Sequence, residues 1–228
     1  MIPNWLHILA IVSLSLAFFS AAAIAVDILR GRHQPMGVMN FVWPITALYF
    51  GPLGLWAYWR LGRRSSGASG HDNSHQRPSG EPFWQSVFVG STHCGAGCVL
   101  GDITGEWFVF ATGFRVAGSR LLADYTLDLA LAYAAGIAFQ YFAIAPMRNL
   151  PPSQGIVEAI KADTLSLVAF EAGMFGWMAV SARLLFHPSL HPETAVYWFM
   201  MQLGMGIGFM TTFPANWFLI RRGIKVAM

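Results

Sequence analysis

Charge is scarce in this chain. Acidic and basic side chains make up 11% of its 228 residues, against a hydrophobic share of 55%. A soluble domain carries about 25% charge. The shortage excludes an ordinary soluble domain and places the chain in a lipid bilayer. The net charge is only +3, and the arginines sit in short clusters between apolar runs. That pattern excludes a nucleic-acid surface and fits charges that set membrane topology. Cysteine is limited to Cys94 and Cys98, so no disulfide framework holds the fold. Met1–Trp5 lacks a positively charged leader region, and no small-residue cleavage site follows. The first apolar run is therefore expected to stay in the protein as a helix. No internal repeat is visible.

Apolar runs are abundant. A spanning helix needs about 20 residues, and six runs reach that length: 5–29, 37–59, 83–110, 121–147, 156–186 and 195–220. The second is interrupted by Pro44 and by Gly51-Pro52. The expected fold class is all-α, a polytopic membrane protein of six transmembrane helices. It divides into an N-terminal hairpin (1–60), a polar linker (61–82) and a four-helix transmembrane domain (83–228). The linker is rich in Ser, Gly, His and Arg and cannot bury a core. His71 and His75 within it have metal-binding spacing only on a helix, which the surrounding Ser, Gly and Pro disfavour. With the N-terminus inside, cytoplasmic segments hold Arg60, Arg63, Arg64, Arg77, Arg148, Arg221, Arg222 and Lys225, and external loops hold Arg30, Arg32, Arg115, Arg120 and Arg183. This bias predicts both termini in the cytoplasm, in a cell inner (plasma) membrane.

The third run carries the chemistry, in the stretch His93-Cys94-Gly95-Ala96-Gly97-Cys98-Val99-Leu100-Gly101-Asp102. Ionisable groups are expensive in a bilayer, so their presence there points to a functional site. With about 100° per residue, Cys94, Cys98, Asp102 and Glu106 climb one side of the helix. Gly97, Gly101 and Gly105 fall on the same side. Small residues at four-residue spacing let helix backbones approach closely in lipid. This helix is therefore expected at the centre of the bundle, with thiols and carboxyls pointing inward. Cys94 and Cys98 stand one turn apart, where two thiolates can share one soft ion such as Cu(I). His93 joins them only if the helix unwinds locally at its glycines. The other reading is packing, because cysteine also behaves as a small hydrophobe.

Further soft donors lie on the later helices. Met174 and Met178 share a face of the fifth run with Asp163, Ser166 and Glu171, and the sixth carries Met200, Met201, Met205 and Met210. Methionine also fills gaps in apolar cores. Glu171 stands mid-helix, where a carboxyl must be protonated, paired or coordinating. Lys161 with Glu158 or Asp163 is expected to form a local ion pair. Asp124 and Asp128 are either solvated or paired with Arg115 and Arg120.

The motif His93–Asp102 is followed by Lys161-Ala162-Asp163-Thr164-Leu165-Ser166-Leu167 and by Phe170-Glu171-Ala172-Gly173-Met174-Phe175-Gly176-Trp177-Met178. Together with Tyr197–Gln202 and Pro214-Ala215-Asn216-Trp217, these runs resemble a prokaryotic multi-pass membrane family of unknown function whose members share an HCGAGC-type motif. The resemblance covers about residues 83–228. It implies no established activity and no catalytic residues, and it associates such proteins with copper handling. The expectation is a membrane protein with an intramembrane soft-metal site, transporting or handling copper or another heavy metal. Its partners are the lipid bilayer and a metal ion, with no nucleic acid. Metal contacts come from His93, Cys94, Cys98, Met174 and Met178. Asp102, Glu106, Asp163 and Glu171 serve proton or ion coupling. Three alternatives remain: a proton- or ion-coupled transporter of another solute, a membrane thiol oxidoreductase, and a scaffold without a site. Binding or transport is expected rather than enzymatic catalysis.

Overall fold

A computed structural model describes residues 2–34, 36–63, 82–186 and 190–226, without the side chains of 146 and 147. Most of the linker, including His71 and His75, lies outside the described residues. The fold is all-helical; among the described residues the only extended pairing is an isolated bridge between Val116 and Ser119. Among the described residues, seven α-helices follow in order: α1 (Asn4–Leu29), α2 (Met39–Phe50), α3 (Pro52–Ala57), α4 (Phe83–Thr112), α5 (Arg120–Arg148), α6 (Pro152–Val180) and α7 (Ala195–Arg221). π-Helical turns extend α3 over Tyr58–Gly62 and α6 over Ser181–Leu185. Among the described residues, four helical stretches are long and apolar enough to cross a membrane: Asn4–Leu29, Arg120–Ala145, Pro152–Leu185 and Ala195–Arg221.

The second expected span takes a different form. Gly51, at φ 56° and ψ −132°, ends α2, and Pro52 starts α3. That conformation suits glycine, and proline suits the first turn of a helix. The chain reverses there. A Cβ on Gly54 would lie 2.9 Å from the Ala47 backbone, one on Gly62 would lie 2.9 Å from the Trp43 ring, and Trp43 meets Tyr58 edge-on at 5.8 Å. The segment is thus an antiparallel helical hairpin. Its apex at Gly51 packs near Ala17, in the middle of α1, and Tyr58 Oη donates to Asp27 Oδ2 at 2.8 Å near the end of α1. Proline at 52 has no N–H to offer the Leu48 carbonyl one turn earlier. Gln202 of α7 replaces it, donating from Nε2 to Leu48 O at 2.9 Å, while Ser13 Oγ of α1 donates to Gln202 Oε1 at 2.6 Å. One glutamine ties the hairpin apex to α1 and α7.

Helix α4 is the axis of the molecule. Residues Ser91–Val99 are buried without interruption. A helix enclosed in this way need not be apolar all round, so α4 can carry Gly, Ser, Thr, His and Asp. The glycine ladder faces neighbouring helices, as its spacing requires. A Cβ on Gly97 would lie 2.7 Å from Gly136 Cα, one on Gly101 would meet the Ala132 backbone, and one on Gly105 would meet the Asp128 carboxyl. On the other flank, a Cβ on Gly208 of α7 would lie 2.7 Å from the Phe170 carbonyl of α6. Replacing Gly101 with Leu forces α4 and α5 apart. The expected outcome is a sharp fall in folded yield in detergent, read by size-exclusion chromatography. An unchanged profile would show that the seam tolerates a side chain.

Candidate functional site

Helices α4, α5, α6 and α7 enclose a line of buried polar side chains. Glycine controls where the line runs, because the closest backbone approaches leave room for side chains only on the flanks of the seam. Three stations can be distinguished.

The first lies near the start of α4. Lys225, four residues beyond the end of α7, is folded back into the interior with only 1% of its surface exposed. Its Nζ lies 3.0 Å from Asp163 Oδ1 and 3.4 Å from Ser166 Oγ. Ser166 Oγ in turn donates to Asp163 Oδ1 at 3.1 Å. Asn216 Nδ2 donates to Ser91 Oγ at 3.1 Å and to Thr212 Oγ1 at 3.3 Å. His93 points to this station. Asp163 and Lys225 are its electrostatic neighbours, and its ring meets Phe139 edge-on at 6.1 Å. Helix α4 runs unbroken through the glycines, so His93 stays about 100° from Cys94, as regular geometry dictates.

The second station holds the thiols. Cys94 and Cys98 are free and fully buried, in one core with Tyr49, Phe170, Met174, Met178, Met201 and Met205. The Glu171 carboxyl lies beside the Cys98 thiol, and Asp102 is a further electrostatic neighbour. Tyr49 comes from the hairpin, and a Cβ on Gly95 would lie 2.9 Å from its hydroxyl. Its approach depends on the reversal at Gly51, which sequence spacing alone does not reveal.

The third station opens outward. Asp102 neighbours Glu171, Asp128 and Glu106. Glu106 and Asp128 then line a cavity of about 210 Å³ together with Asp124, Arg120, Tyr197, Met174 and Met178. Both predicted methionines therefore reach from the thiol core to the cavity wall. Asp128 is buried, whereas Asp124 is half-buried beside Arg120.

The carboxyls differ in their partners. Both oxygens of Asp102 and of Glu171 are buried without a hydrogen-bond partner among the described residues, as are Asp128 Oδ1 and Glu106 Oε2. None of these four carboxyls lies within ion-pair distance of a basic side chain among the described residues, whereas Asp163 is paired with Lys225. Lys161, instead of facing the interior, is exposed and pairs with Glu158 at 3.1 Å, as expected of a local ion pair. Among the described residues, no group of three or more His, Cys, Asp or Glu side chains forms a metal-ligand cluster.

An all-helical fold with helices able to cross a membrane, enclosing a buried line of thiols and carboxyls, defines the class of protein. The chain belongs to the family described as a domain of unknown function (DUF4396), whose model matches residues 83–225. No curated protein and no solved structure matches the chain. The matched region begins where α4 begins and includes Lys225, so the three stations fall inside it except for Tyr49.

Breaking a buried ion pair strands one charge and costs about 3–5 kcal/mol. Asp163→Asn is therefore expected to lower the unfolding temperature in detergent strongly. Asp102→Asn removes no hydrogen bond and should change stability by less than about 1 kcal/mol. Differential scanning fluorimetry on the two variants checks the contrast, and equal losses would contradict it.

Proposed function

We propose that this protein is a membrane carrier for a soft monovalent cation of the Cu(I) class, exchanged against protons. The observation that carries this reading is the placement of Glu171. Its carboxyl, with no basic side chain within ion-pair distance among the described residues, lies beside the Cys98 thiol of the buried pair. Soft sulfur donors suit Cu(I), and Met174 and Met178 supply thioethers between the thiols and the cavity. A carboxyl buried without a counter-charge is tolerated only with a proton or another cation on it. The exchange balances simply. One cation enters the site, one thiol loses its proton to become the thiolate ligand, and that proton leaves by way of Glu171, Asp102 and Asp128 to the cavity. The charge of the buried site is the same before and after, which a low-dielectric interior requires.

The second reading is proton-coupled transport of another solute. What favours it is the membership of both thiols in a continuous apolar core, where cysteine also packs well. Proteoliposomes of the full chain with an internal pH dye separate the two. A pulse of Ag(I), a redox-inert probe with the coordination chemistry of Cu(I), is expected to raise the internal pH in the parent. Replacing both Cys94 and Cys98 with Ser should abolish the response, and Glu171→Gln should slow it by about tenfold or more. No response in the parent, or an equal response in the double-serine variant, would overturn the soft-cation reading.

The same reading includes a topology. Helices α1, α4, α5, α6 and α7 cross the bilayer, while α2 and α3 enter it to mid-depth and return. Backbone that reverses inside a membrane is tolerated where protein buries it, as α1 and α7 do here. The reversal brings Arg30 and Arg32 to the side of Arg60, Arg63, Arg148, Arg221 and Arg222, and leaves Arg115, Arg120 and Arg183 on the other. That asymmetry is stronger than the one a sixth span gives. On this reading the C-terminus faces the cytoplasm and the N-terminus the outside. Reporter fusions at the two ends should give opposite locations, and matching signals would restore six spans.

A further inference from the structure

The chain holds two lysines, and they occupy opposite environments. Lys161 is 61% exposed, whereas the Lys225 side chain is fully enclosed. An ammonium group at such a place loses its hydration and is retained only by compensating contacts. Those contacts use one oxygen of Asp163 and the hydroxyl of Ser166.

The station offers more acceptors than Lys225 occupies. Asp163 Oδ2 and Asn216 Oδ1 are buried and unpartnered among the described residues. Asp163, Ser166 and Asn216 are all 0% exposed. The donor atoms are a carboxylate, a hydroxyl and an amide carbonyl, a hard oxygen set of the kind that binds hard cations. The set carries a single negative charge, so a monovalent ion neutralises it and a divalent ion leaves an excess.

Lys225 is also built to leave. It follows Gly223, which takes φ +70°, and its backbone is held by one hydrogen bond from its N–H to Leu219 O at 3.3 Å. Its stem runs alongside α4, where a Cβ on Gly90 would lie in ordinary contact, 4.0 Å from Lys225 Cε. Rotation about Gly223 withdraws the ammonium without unfolding α7.

We propose that Asp163, Ser166 and Asn216 form a site for a hard monovalent cation of the Na⁺ class, in which the Lys225 ammonium is the resident occupant that the cation displaces. Displacement opens the inner end of the polar line, and return of Lys225 closes it. This site is separate from the thiol pair and does not depend on what the thiols bind.

The experiment uses the full chain in proteoliposomes and a small, membrane-permeant amine acylating reagent, with mass spectrometry of each lysine. Lys161 is the internal standard. In NaCl, Lys225 should react at least about tenfold faster relative to Lys161 than in choline chloride of equal ionic strength. The same acceleration is expected in the double-serine variant of Cys94 and Cys98, so failure here is distinct from failure of the soft-cation reading. Equal rates in the two salts would overturn the proposal. In Asp163→Asn, Lys225 should react fast in both salts, and a sodium dependence that persists there would also overturn it. As an independent measurement, Na⁺ should raise the unfolding temperature of Lys225→Met more than that of the parent. An equal shift in the two proteins would count against the site.

Discussion

The close approach of α4 to α5 along Gly97, Gly101 and Gly105 is the constraint on which the rest depends. Helices in lipid gain little from burying apolar surface against one another, so packing contact and small residues decide where backbones meet. At this seam the partners are Gly136, Ala132 and Asp128. Because the backbones nearly touch, α4 is enclosed over Ser91–Val99 by its neighbours and keeps Asp102 and Glu106 on its inner face, while Leu100, Trp107 and Phe108 lie exposed on the outer one. Enclosure frees α4 from having to be hydrophobic. A helix exposed to acyl chains could not carry His93, Asp102 and Glu106 within four turns.

Within that enclosure, the carboxyls divide into two kinds. Asp163 has an internal cation in Lys225, and its neighbours Ser166, Thr212, Asn216 and Ser91 form a hydrogen-bonded set across α4, α6 and α7. Asp102, Glu106, Asp128 and Glu171 have no such partner among the described residues and stand between the thiols and the cavity. A paired carboxylate stays charged as long as its partner, or a cation in the partner's place, is present, since removing it strands a charge. An unpaired carboxyl is an exchangeable one, because its neutrality depends on a proton or ion that can be replaced.

Much of this was legible in the sequence. The four-residue spacing of Gly97, Gly101 and Gly105 predicted a buried seam. The mid-helix position of Glu171 predicted a carboxyl without solvent, and a local ion pair of Lys161 with Glu158 or Asp163 was expected, of which the structure forms the one with Glu158. Three features were less accessible. Hydropathy records composition and not direction, so the run 37–59 reads as a span although Gly51-Pro52 reverses it. Lys225 follows two exposed arginines and reads as one more cytoplasmic charge; only the fold-back after α7 shows it inside. Tyr49 reaches the thiols from a segment some forty-five residues earlier, a contact that no local periodicity encodes. His93 is adjacent to Cys94 in the motif, yet helical geometry sends it to the Asp163 station.

The hairpin of α2 and α3 lies outside the family-matched region, but it supplies the wall over Gly95 and Cys94. The matched domain is in this sense an unfinished vessel, open on the side that Tyr49 covers. A chain starting at α4 would lack the Tyr49 side chain that covers Gly95 and packs in the thiol core. The N-terminal hairpin thus serves as insulation for a thiol pair that lies in another part of the sequence.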